Sequence, residues 1–481
     1  MKKNFLKVSG FIVLFVIALI CVVRVCSFKY VDGIYTLEAF YEQEENINDV
    51  LFIGSSNVFE GINTAILWDE YGIASFDLAA SNQPIWNSYY FIKEALKTQN
   101  PKLIVVDFYG VEYGTDYSDL SRIVKNTYGM RLSKEKVEAK KTSSEKEMWN
   151  THMWEIPTYH TRYRELKMED FLPHLAIPNY DAWKGFTINP LTIAFEKPDG
   201  FQTDKTVELT EKVEKYLRQI CEYCKENNVE LLFIKTPNIT DIDRTMRYNM
   251  AAEIVAEYDM PFVNFNYFYD DIGLDFSKDM ADNAHLNYRG NVKFTRYLAD
   301  YLKNNYEIPD RRGMQGYESY DKISLDCKAR TENANVYDTY DLDEFLELIQ
   351  QKNYLIVYGI CGYYKEAGNY NEIAEKLRQY GVELENQESS NVWVIQNGEI
   401  LYDEINAYDY LWYKELAPYK TLEVKAQGMT IDSHAISFNR EKMDKVNSGL
   451  NIVVYDTITQ TIVDSVGFPI VNGRFEYNKI R

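Results

Sequence analysis

The sequence predicts an α/β fold in which a parallel sheet lies between two layers of helices. Between about residues 50 and 304, short apolar runs alternate with longer stretches of helical periodicity. The apolar runs are continuous, which is typical of strands that are buried on both faces. The chain has 481 residues, which is enough for two or three domains. These observations indicate a three-layer domain accompanied by a smaller one.

The first domain is predicted to occupy residues 45–305. The stretch from about 115 to 200 is polar, aromatic and irregular, and is predicted to be an insertion that lies over the sheet. The predicted strands are Val50–Ile53, Leu103–Phe108, Glu230–Lys235 and Phe262–Asn264, and the predicted helices are Trp86–Lys97, Lys205–Asn228 and Tyr288–Asn304.

A second domain of mixed α and β content is predicted at residues 326–481. Residues 306–325 are polar and contain glycine, which favours a linker. The predicted helices are Asp343–Gln350 and Ile373–Tyr380, and the predicted strands are Tyr354–Tyr358, Val392–Ile395, Leu422–Ala426 and Ile452–Tyr455.

Residues 1–28 are predicted to form a transmembrane signal anchor. The run Phe11–Val23 is uncharged and, with its apolar neighbours, is about long enough to cross a bilayer. Three lysines precede the run and outweigh the two basic residues that follow it, which favours a cytoplasmic N-terminus and an extracytoplasmic remainder. A cleavable signal peptide is the alternative, but no small-residue cleavage site follows the run.

Composition excludes some functions. The 73 acidic residues outnumber the 52 basic ones, so the formal charge of -21 disfavours nucleic-acid binding. The 40 tyrosines suit either a sugar-facing groove or an ordinary core. None of the six cysteines has the spacing of a metal site, and buried free thiols are expected. Neither a metal nor another cofactor is predicted.

Two short segments contain residues suited to catalysis. Gly54, Ser55 and Ser56 follow the first predicted strand, and ligands bind at such strand ends in parallel sheets. Asp282 and His285 precede the last helix of the domain, at a spacing that lets the carboxylate orient the imidazole as a general base. Taken singly, each segment also fits a helix cap, with Ser or Asp as the capping residue.

Together, the two segments resemble the SGNH (GDSL-type) hydrolase family over residues 45 to 305. The resemblance implies that Ser56 is the nucleophile, His285 the base and Asp282 its partner. The sequences around both motifs are similar to those of membrane-anchored SGNH proteins of D-alanyl-lipoteichoic-acid and alginate O-acetylation. That branch implies a cell-envelope or secreted glycan as substrate and a multispanning membrane O-acyltransferase as partner.

The sequence departs from the family at the oxyanion hole. Asp77-Leu78-Ala79 stands where many members have Asn-x-Gly, and no Gly-x-Asn-Asp block follows Val106. The Ser56 N–H is expected to remain a donor, with Asn82 or Gln83 supplying a side-chain donor. Loss of one donor typically costs about 3 kcal/mol of transition-state stabilisation.

Three further residues are candidates for substrate binding. His160 and Arg162 lie in the insertion, where an arginine could hold an anionic group. Lys235 ends a predicted strand on the side from which such folds bind ligands. A solvated surface is the alternative for the first two, and an ordinary strand exit is the alternative for Lys235.

The second domain resembles the interleukin-like EMT inducer domain over roughly residues 335 to 470. A helix that ends at Gly381 and a strand that ends at Gly398 match one segment of that family. Ser448–Ser465 matches another segment, but in the reverse order along the chain. Related domains bind glycans, so the resemblance implies a glycan-binding accessory domain.

Three functions follow from these patterns. The first is transfer of an acyl (acetyl) group to a polysaccharide through an acyl-Ser intermediate. The second is hydrolysis of such esters by a carbohydrate esterase of the same fold. The third is a non-catalytic glycan-binding or assembly protein that keeps the fold without an oxyanion hole.

Overall fold

The structure is a computed structural model that describes residues 2–160, 162–171, 183–351, 353–384, 391–404, 409–418, 420–427 and 434–481. The chain divides into two compact units, residues 1–325 and 326–481. The predicted fold class is confirmed: an apolar N-terminal helix precedes an α/β unit with a parallel sheet, and a smaller α+β unit follows.

The first unit is built on a five-stranded sheet in the order β2-β1-β3-β4-β5, and all of its strands are parallel. Its strands are β1 (Val50–Gly54), β2 (Ser75–Ala79), β3 (Leu103–Asp107), β4 (Glu230–Lys235) and β5 (Phe262–Asn264). Its helices are α1 (Lys2–Cys26), α2 (Thr36–Tyr41), α3 (Ser56–Phe59), α4 (Thr64–Tyr71), α5 (Ile85–Ala95), α6 (Leu120–Ile123), α7 (Lys134–Ser143), α8 (Trp149–Trp154), α9 (Met168–Phe171), α10 (Glu211–Glu226), α11 (Ile242–Ala256), α12 (Tyr269–Ile272), α13 (Gly290–Asn305) and α14 (Glu318–Asp338), which runs past residue 325.

Helices cover both faces of this sheet, so its strands are buried on both sides. On one face, Trp86 of α5 and Leu217 of α10 pack in a core with Leu51 of β1. On the other face, Leu67 of α4 and Leu298 of α13 pack in a second core with other strand residues. Each fully buried large apolar side chain contributes roughly 1.5–3 kcal/mol. The continuous apolar strands of the sequence are therefore the middle layer.

Strand β2 and helix α11 are among the elements of this unit that were not predicted. Strand β2 contains Ser75 and Asp77, so it lacks a continuous apolar run, although every residue in it is buried. Burial raises the pKa of Asp77 well above its ordinary value, which lets a neutral carboxyl group occupy the strand. Helix α11 was also missed. Helix α10 begins later than predicted, at Glu211, because the Thr210 side chain caps it by accepting the N–H of Val213.

Residues 306–325, for which the sequence predicts a linker, pack onto the first unit, and the boundary between the two units follows residue 325. Arg311 donates two hydrogen bonds of 2.7 and 2.8 Å to the carboxylate of Asp49. The Tyr320 hydroxyl donates to Asn48 Oδ1 at 2.7 Å, and its ring stacks on Trp68 at 4.9 Å between centroids. The polar composition reflects ion pairs and hydrogen bonds rather than a solvated tether.

The second unit contains a six-stranded and a four-stranded antiparallel sheet, in the orders β15-β14-β13-β6-β7-β8 and β12-β11-β10-β9. One face of the larger sheet packs on helices, and the other face shares a core with the smaller sheet. The elements are α15 (Leu342–Leu348), β6 (Tyr354–Cys361), α16 (Tyr370–Arg378), β7 (Asn391–Gln396), β8 (Glu399–Glu404), β9 (Asp409–Ala417), β10 (Lys420–Gln427), β11 (His434–Phe438), β12 (Glu441–Lys442), β13 (Gly449–Asp456), β14 (Thr461–Val471) and β15 (Arg474–Phe475).

Helix α1 contains a 20-residue stretch, Lys7–Cys26, that is long and apolar enough to cross a membrane. The same length and composition also fit a signal sequence.

Candidate active site

The first candidate segment forms the tight turn between β1 and α3, with Ser56 as the first residue of α3. A Cβ atom at Gly54 would lie 2.6 Å from Val58 Cγ2 and 3.0 Å from Asp107 Cβ. Only glycine therefore fits at this point without displacing its neighbours. The close approach fixes where the chain leaves the strand, and hence where the Ser56 hydroxyl lies.

The second candidate segment is a loop between α12 and α13 that folds back on itself. The Ala281 N–H donates to the His285 carbonyl at 2.9 Å. Asp282 Oδ1 accepts the backbone N–H groups of Ala284 at 2.7 Å and of His285 at 3.0 Å. The carboxylate thus caps its own turn, which accounts for the three-residue spacing of Asp and His.

The fold brings the two segments together into a serine–histidine–aspartate arrangement. His285 Nε2 lies 2.7 Å from Ser56 Oγ. On the other side of the ring, His285 Nδ1 lies 2.8 Å from each carboxylate oxygen of Asp282. All three side chains lie beyond the carboxyl edge of the sheet, where open α/β sheets bind ligands.

The Asp282 carboxylate is suited to hold a charge beside the imidazole. Burial alone would raise its pKa, but hydrogen bonds from the His285 ring and from the Ala284 N–H outweigh this effect. The net result is a pKa below the ordinary 3.8. Ionised Asp282 can therefore fix the imidazole tautomer, with Nδ1 as donor and Nε2 facing Ser56 as acceptor.

A further contact, which the sequence did not reveal, joins the two segments directly. Asn57, the residue after the candidate nucleophile, donates from Nδ2 to the Ala284 carbonyl at 2.6 Å. Asn57 is buried. Because this bond joins the residue after Ser56 to the residue before His285, it maintains the serine–histidine separation. Only the tertiary structure identifies the pair.

Glu60 is a second residue that the sequence analysis missed. It lies one helical turn after Ser56, and its N–H donates to the Ser56 carbonyl at 2.9 Å. Its carboxylate accepts a hydrogen bond of 2.9 Å from Asn189 Nδ2. Burial raises the pKa of Glu60 above 4.5, although the charge of His285 and the Asn189 hydrogen bond oppose the shift. Glu60 thus places a second acidic group near the imidazole.

The final part of the insertion supports the histidine loop. The Asn189 carbonyl accepts the Tyr288 N–H at 3.0 Å, and Thr192 Oγ1 accepts from Asn287 Nδ2 at 2.9 Å. The insertion is therefore attached to Asn287 and Tyr288, which closely follow His285, so it helps to position the loop.

The two predicted side-chain oxyanion donors differ in their surroundings. Gln83 is fully buried, and its amide donates to Ser88 Oγ at 3.1 Å, which argues against its predicted role as an oxyanion donor. Asn82 is exposed and has a left-handed backbone with φ of 51°. Tyr109 donates to Asn82 Oδ1 at 2.8 Å, and Tyr113 donates to the Asn82 carbonyl at 2.5 Å. These bonds fix Asn82 without using its amide N–H groups.

The expectation that Lys235 binds substrate does not fit the structure. Its side chain has no exposed surface, and its ammonium group donates to the Thr236 carbonyl at 3.1 Å. The same group lies 3.9 Å from Asp107 Oδ2. Lys235 compensates a buried carboxylate at the sheet edge, so its charge is used inside the protein.

His160 and Arg162 have local partners within the first unit. His160 Nδ1 lies 2.6 Å from the Pro157 carbonyl, and its side chain is exposed. Arg162 donates to Asp170 Oδ1 at 2.5 Å and to the Ser27 carbonyl at 3.5 Å. Because it is paired with Asp170, Arg162 is not a free cation for an anionic substrate.

Three solved structures to which the fold is similar are of an acetyl xylan esterase from Geobacillus stearothermophilus. One alignment covers 55% of this chain and 98% of the esterase, with 12% identity and a TM-score of 0.28. A second variant and a catalytic mutant each align over 55% of this chain and 97% of theirs, with 12% identity and TM-scores of 0.27. No protein-family model and no curated protein matches the chain.

Proposed function

We propose that the protein is a serine-dependent acyl-ester enzyme. The observation that carries this proposal is the continuous contact from Asp282 through His285 to Ser56, with 2.8 and 2.7 Å separations. In this geometry, His285 Nε2 takes the Ser56 proton while Oγ forms a bond to the acyl carbon. The ester C–O bond then breaks, and the departing alcohol receives that proton from Nε2.

The second half of the reaction runs through the same groups. An acceptor hydroxyl gives its proton to His285 and attacks the acyl carbon, and Ser56 recovers a proton as its bond to the acyl group breaks. The Ser56 N–H and the Asn82 amide are the proposed donors to the developing oxyanion. Each such donor is worth roughly 3 kcal/mol in comparable sites.

The proposed reaction is acyl transfer to a hydroxyl of a cell-envelope or secreted polysaccharide. Support comes from the resemblance of the Gly54–Asn57 and Asp282–Asn287 segments to membrane-anchored SGNH proteins of glycan acetylation. In this proposal α1 crosses the membrane with the first unit outside, and a multispanning membrane O-acyltransferase supplies the acyl group. The second unit is proposed to bind glycan.

Hydrolysis is the second candidate, and the exposure of the site favours it. The side chains of His285 and Asp282 retain 20% and 45% of their accessible surface. Water therefore reaches the base, and an acyl-Ser intermediate at an open site would be hydrolysed unless an acceptor sugar excludes water. In that case, the enzyme would remove acyl groups from glycans.

The first experiment tests the serine. Wild-type protein and Ser56→Ala are treated with a serine-reactive phosphonate and assayed on a chromogenic acetyl ester. We expect Ser56→Ala to lose both labelling and turnover. The matched control is Ser55→Ala, which removes the adjacent serine hydroxyl. That hydroxyl lies 3.4 Å from Asn57 Oδ1 and is not part of the proposed triad. Labelling that survives in Ser56→Ala and disappears in Ser55→Ala would contradict the proposal and identify Ser55 as the nucleophile.

The second experiment separates the three functions. Glycan acetyl content is measured in a deletion strain and in strains that carry Ser56→Ala or His285→Ala. A transferase predicts less acetate than in the wild type, whereas an esterase predicts more. A non-catalytic glycan-binding protein predicts sugar binding and acetyl content that are indifferent to both substitutions.

A further inference from the structure

The C-terminal end of α1 packs against the insertion of the first unit. Val23 and Cys26 lie against a core cluster that contains Tyr128 and Tyr159. Just after the helix, the Phe28 ring meets the Tyr159 ring edge to face, with centroids 5.5 Å apart. The first unit is therefore packed directly on the end of the apolar helix, without an extended tether between them.

Polar contacts reinforce this attachment. The Lys29 ammonium group donates to the Arg24 carbonyl at 2.7 Å and to the Ser27 carbonyl at 2.8 Å, which satisfies acceptors at the end of α1. Arg162, which the sequence analysis had singled out, also reaches the Ser27 carbonyl and is held by Asp170. These bonds restrict rotation of the unit about the helix, so the same surface of the unit stays next to the end of α1.

The part of the insertion that contacts α1 also exposes large apolar side chains. Helix α1 contacts both α9 and the short helix Ile156–Tyr159. Within this region, Trp154 is 72% exposed, Ile156 45%, Tyr163 61% and Phe171 56%. We call these four residues, of which three are aromatic and one is Ile156, the aromatic patch. The other six of the seven tryptophans are buried or half-buried, so the exposure of Trp154 needs a physical reason.

We infer that the aromatic patch lies in the headgroup region of the leaflet from which the C-terminal end of α1 emerges. Tryptophan and tyrosine favour this region because it is apolar on one side and wet on the other. Exposed Arg164 donates to the Tyr163 hydroxyl at 2.9 Å, which places a cation beside the patch where lipid phosphates would lie. This inference rests on the proposed membrane crossing by α1. The patch would fix the orientation of the first unit on the bilayer.

The test uses the full chain in nanodiscs of phosphatidylcholine and phosphatidylglycerol, with and without 6,7-dibrominated phosphatidylcholine. Bromine quenches indole emission on contact, and α1 contains no tryptophan, so quenching reports on residues outside the span. We expect Trp154→Phe to remove at least half of the quenched emission. The control is Trp68→Phe, which removes a fully buried indole and should leave the quenched intensity unchanged.

A second variant keeps the reporter and alters its surroundings. The double substitution Ile156→Glu and Tyr163→Glu places carboxylates in the patch, so quenching of Trp154 should fall by at least half. Equal quenching in Trp154→Phe and wild type would overturn the inference, because it would show that Trp154 does not contact lipid. A protein partner would then be the alternative occupant of the patch. Phosphonate labelling of Ser56 in the same nanodiscs keeps the two proposals distinguishable. Labelling without quenching contradicts only the patch, and quenching without labelling contradicts only the catalytic proposal.

Discussion

The imidazole Nε2 atom of His285 lies 2.7 Å from the Ser56 hydroxyl, although the two residues are 229 positions apart in the chain. Ser56 follows the first strand of the sheet and His285 follows the last. Because all five strands are parallel, the two strand ends lie on the same edge. This contact therefore depends on the tertiary arrangement of the sheet and not on local sequence.

Asp282→Asn should lower kcat by roughly 10³–10⁴ while leaving the fold intact. The amide keeps the size of the side chain but no longer holds the imidazole tautomer that faces Ser56. Initial rates on the acetyl ester and a thermal unfolding curve check this expectation. Asp270→Asn is the control, since the Asp270 side chain is 86% exposed and pairs with Lys197. Equal rates in both variants would exclude an orienting role for Asp282.

Asn82→Asp should lower kcat by roughly 10²–10³ with little change in KM, because an oxyanion donor acts mainly in the transition state. The substitution keeps the acceptor that Tyr109 uses, removes the N–H donors and adds a negative charge that repels the developing oxyanion. Tyr109→Phe should cause a smaller loss, since it frees the Asn82 side chain without removing the amide. An unchanged kcat in Asn82→Asp would place the second donor elsewhere.

Glu60→Gln should raise the thermal unfolding midpoint at pH 7, and this gain should disappear near pH 4. Burial raises the pKa of Glu60, so the folded protein holds this proton more tightly than the unfolded chain. The resulting stability is complete below the ordinary value of 4.5 and is lost as pH rises through the folded pKa. Glutamine removes this loss. Glu60→Asp is the control, because it keeps a carboxylate and should retain the pH dependence. Identical pH profiles of the unfolding midpoint in Glu60→Gln and wild type would contradict the argument.

Gly54→Ala should destabilise the first unit by about 1–3 kcal/mol, because the added methyl group enters occupied space. It should also lower ester turnover at least tenfold, since a shift of the turn moves the Ser56 hydroxyl away from His285. Denaturant unfolding and initial rates measure the two effects. Gly114→Ala is the matched control, because no atom lies within 4 Å of a Cβ atom at that position. Wild-type stability and turnover in Gly54→Ala would contradict this expectation, because they would show that the turn accommodates a methyl group at position 54.

The sequence alone determined the fold class and the candidate catalytic residues. Continuous apolar strands indicate burial on both faces of a sheet, and this apolar pattern can be read within each strand, without knowledge of distant residues. Strand β2 escaped prediction because Asp77 interrupts its apolar run, and only burial in the finished sheet makes a neutral carboxyl group acceptable there. The residues Ser56, Asp282 and His285 could be proposed because each pattern is local and the two patterns together resemble one known family.

The tertiary structure decided the surroundings of those residues. Burial separates Asn82 from Gln83 and removes Lys235 from the candidate binding residues, and burial is not readable from residue type alone. The contact of Asn57 with Ala284 and the position of Glu60 beside the imidazole depend on which strand ends adjoin. In the same way, sequence predicted the apolar helix α1, but only packing showed that the insertion rests on its end. Local patterns specify elements and motifs, whereas long-range contacts specify which charges are paired, which donors are free and which surfaces are exposed.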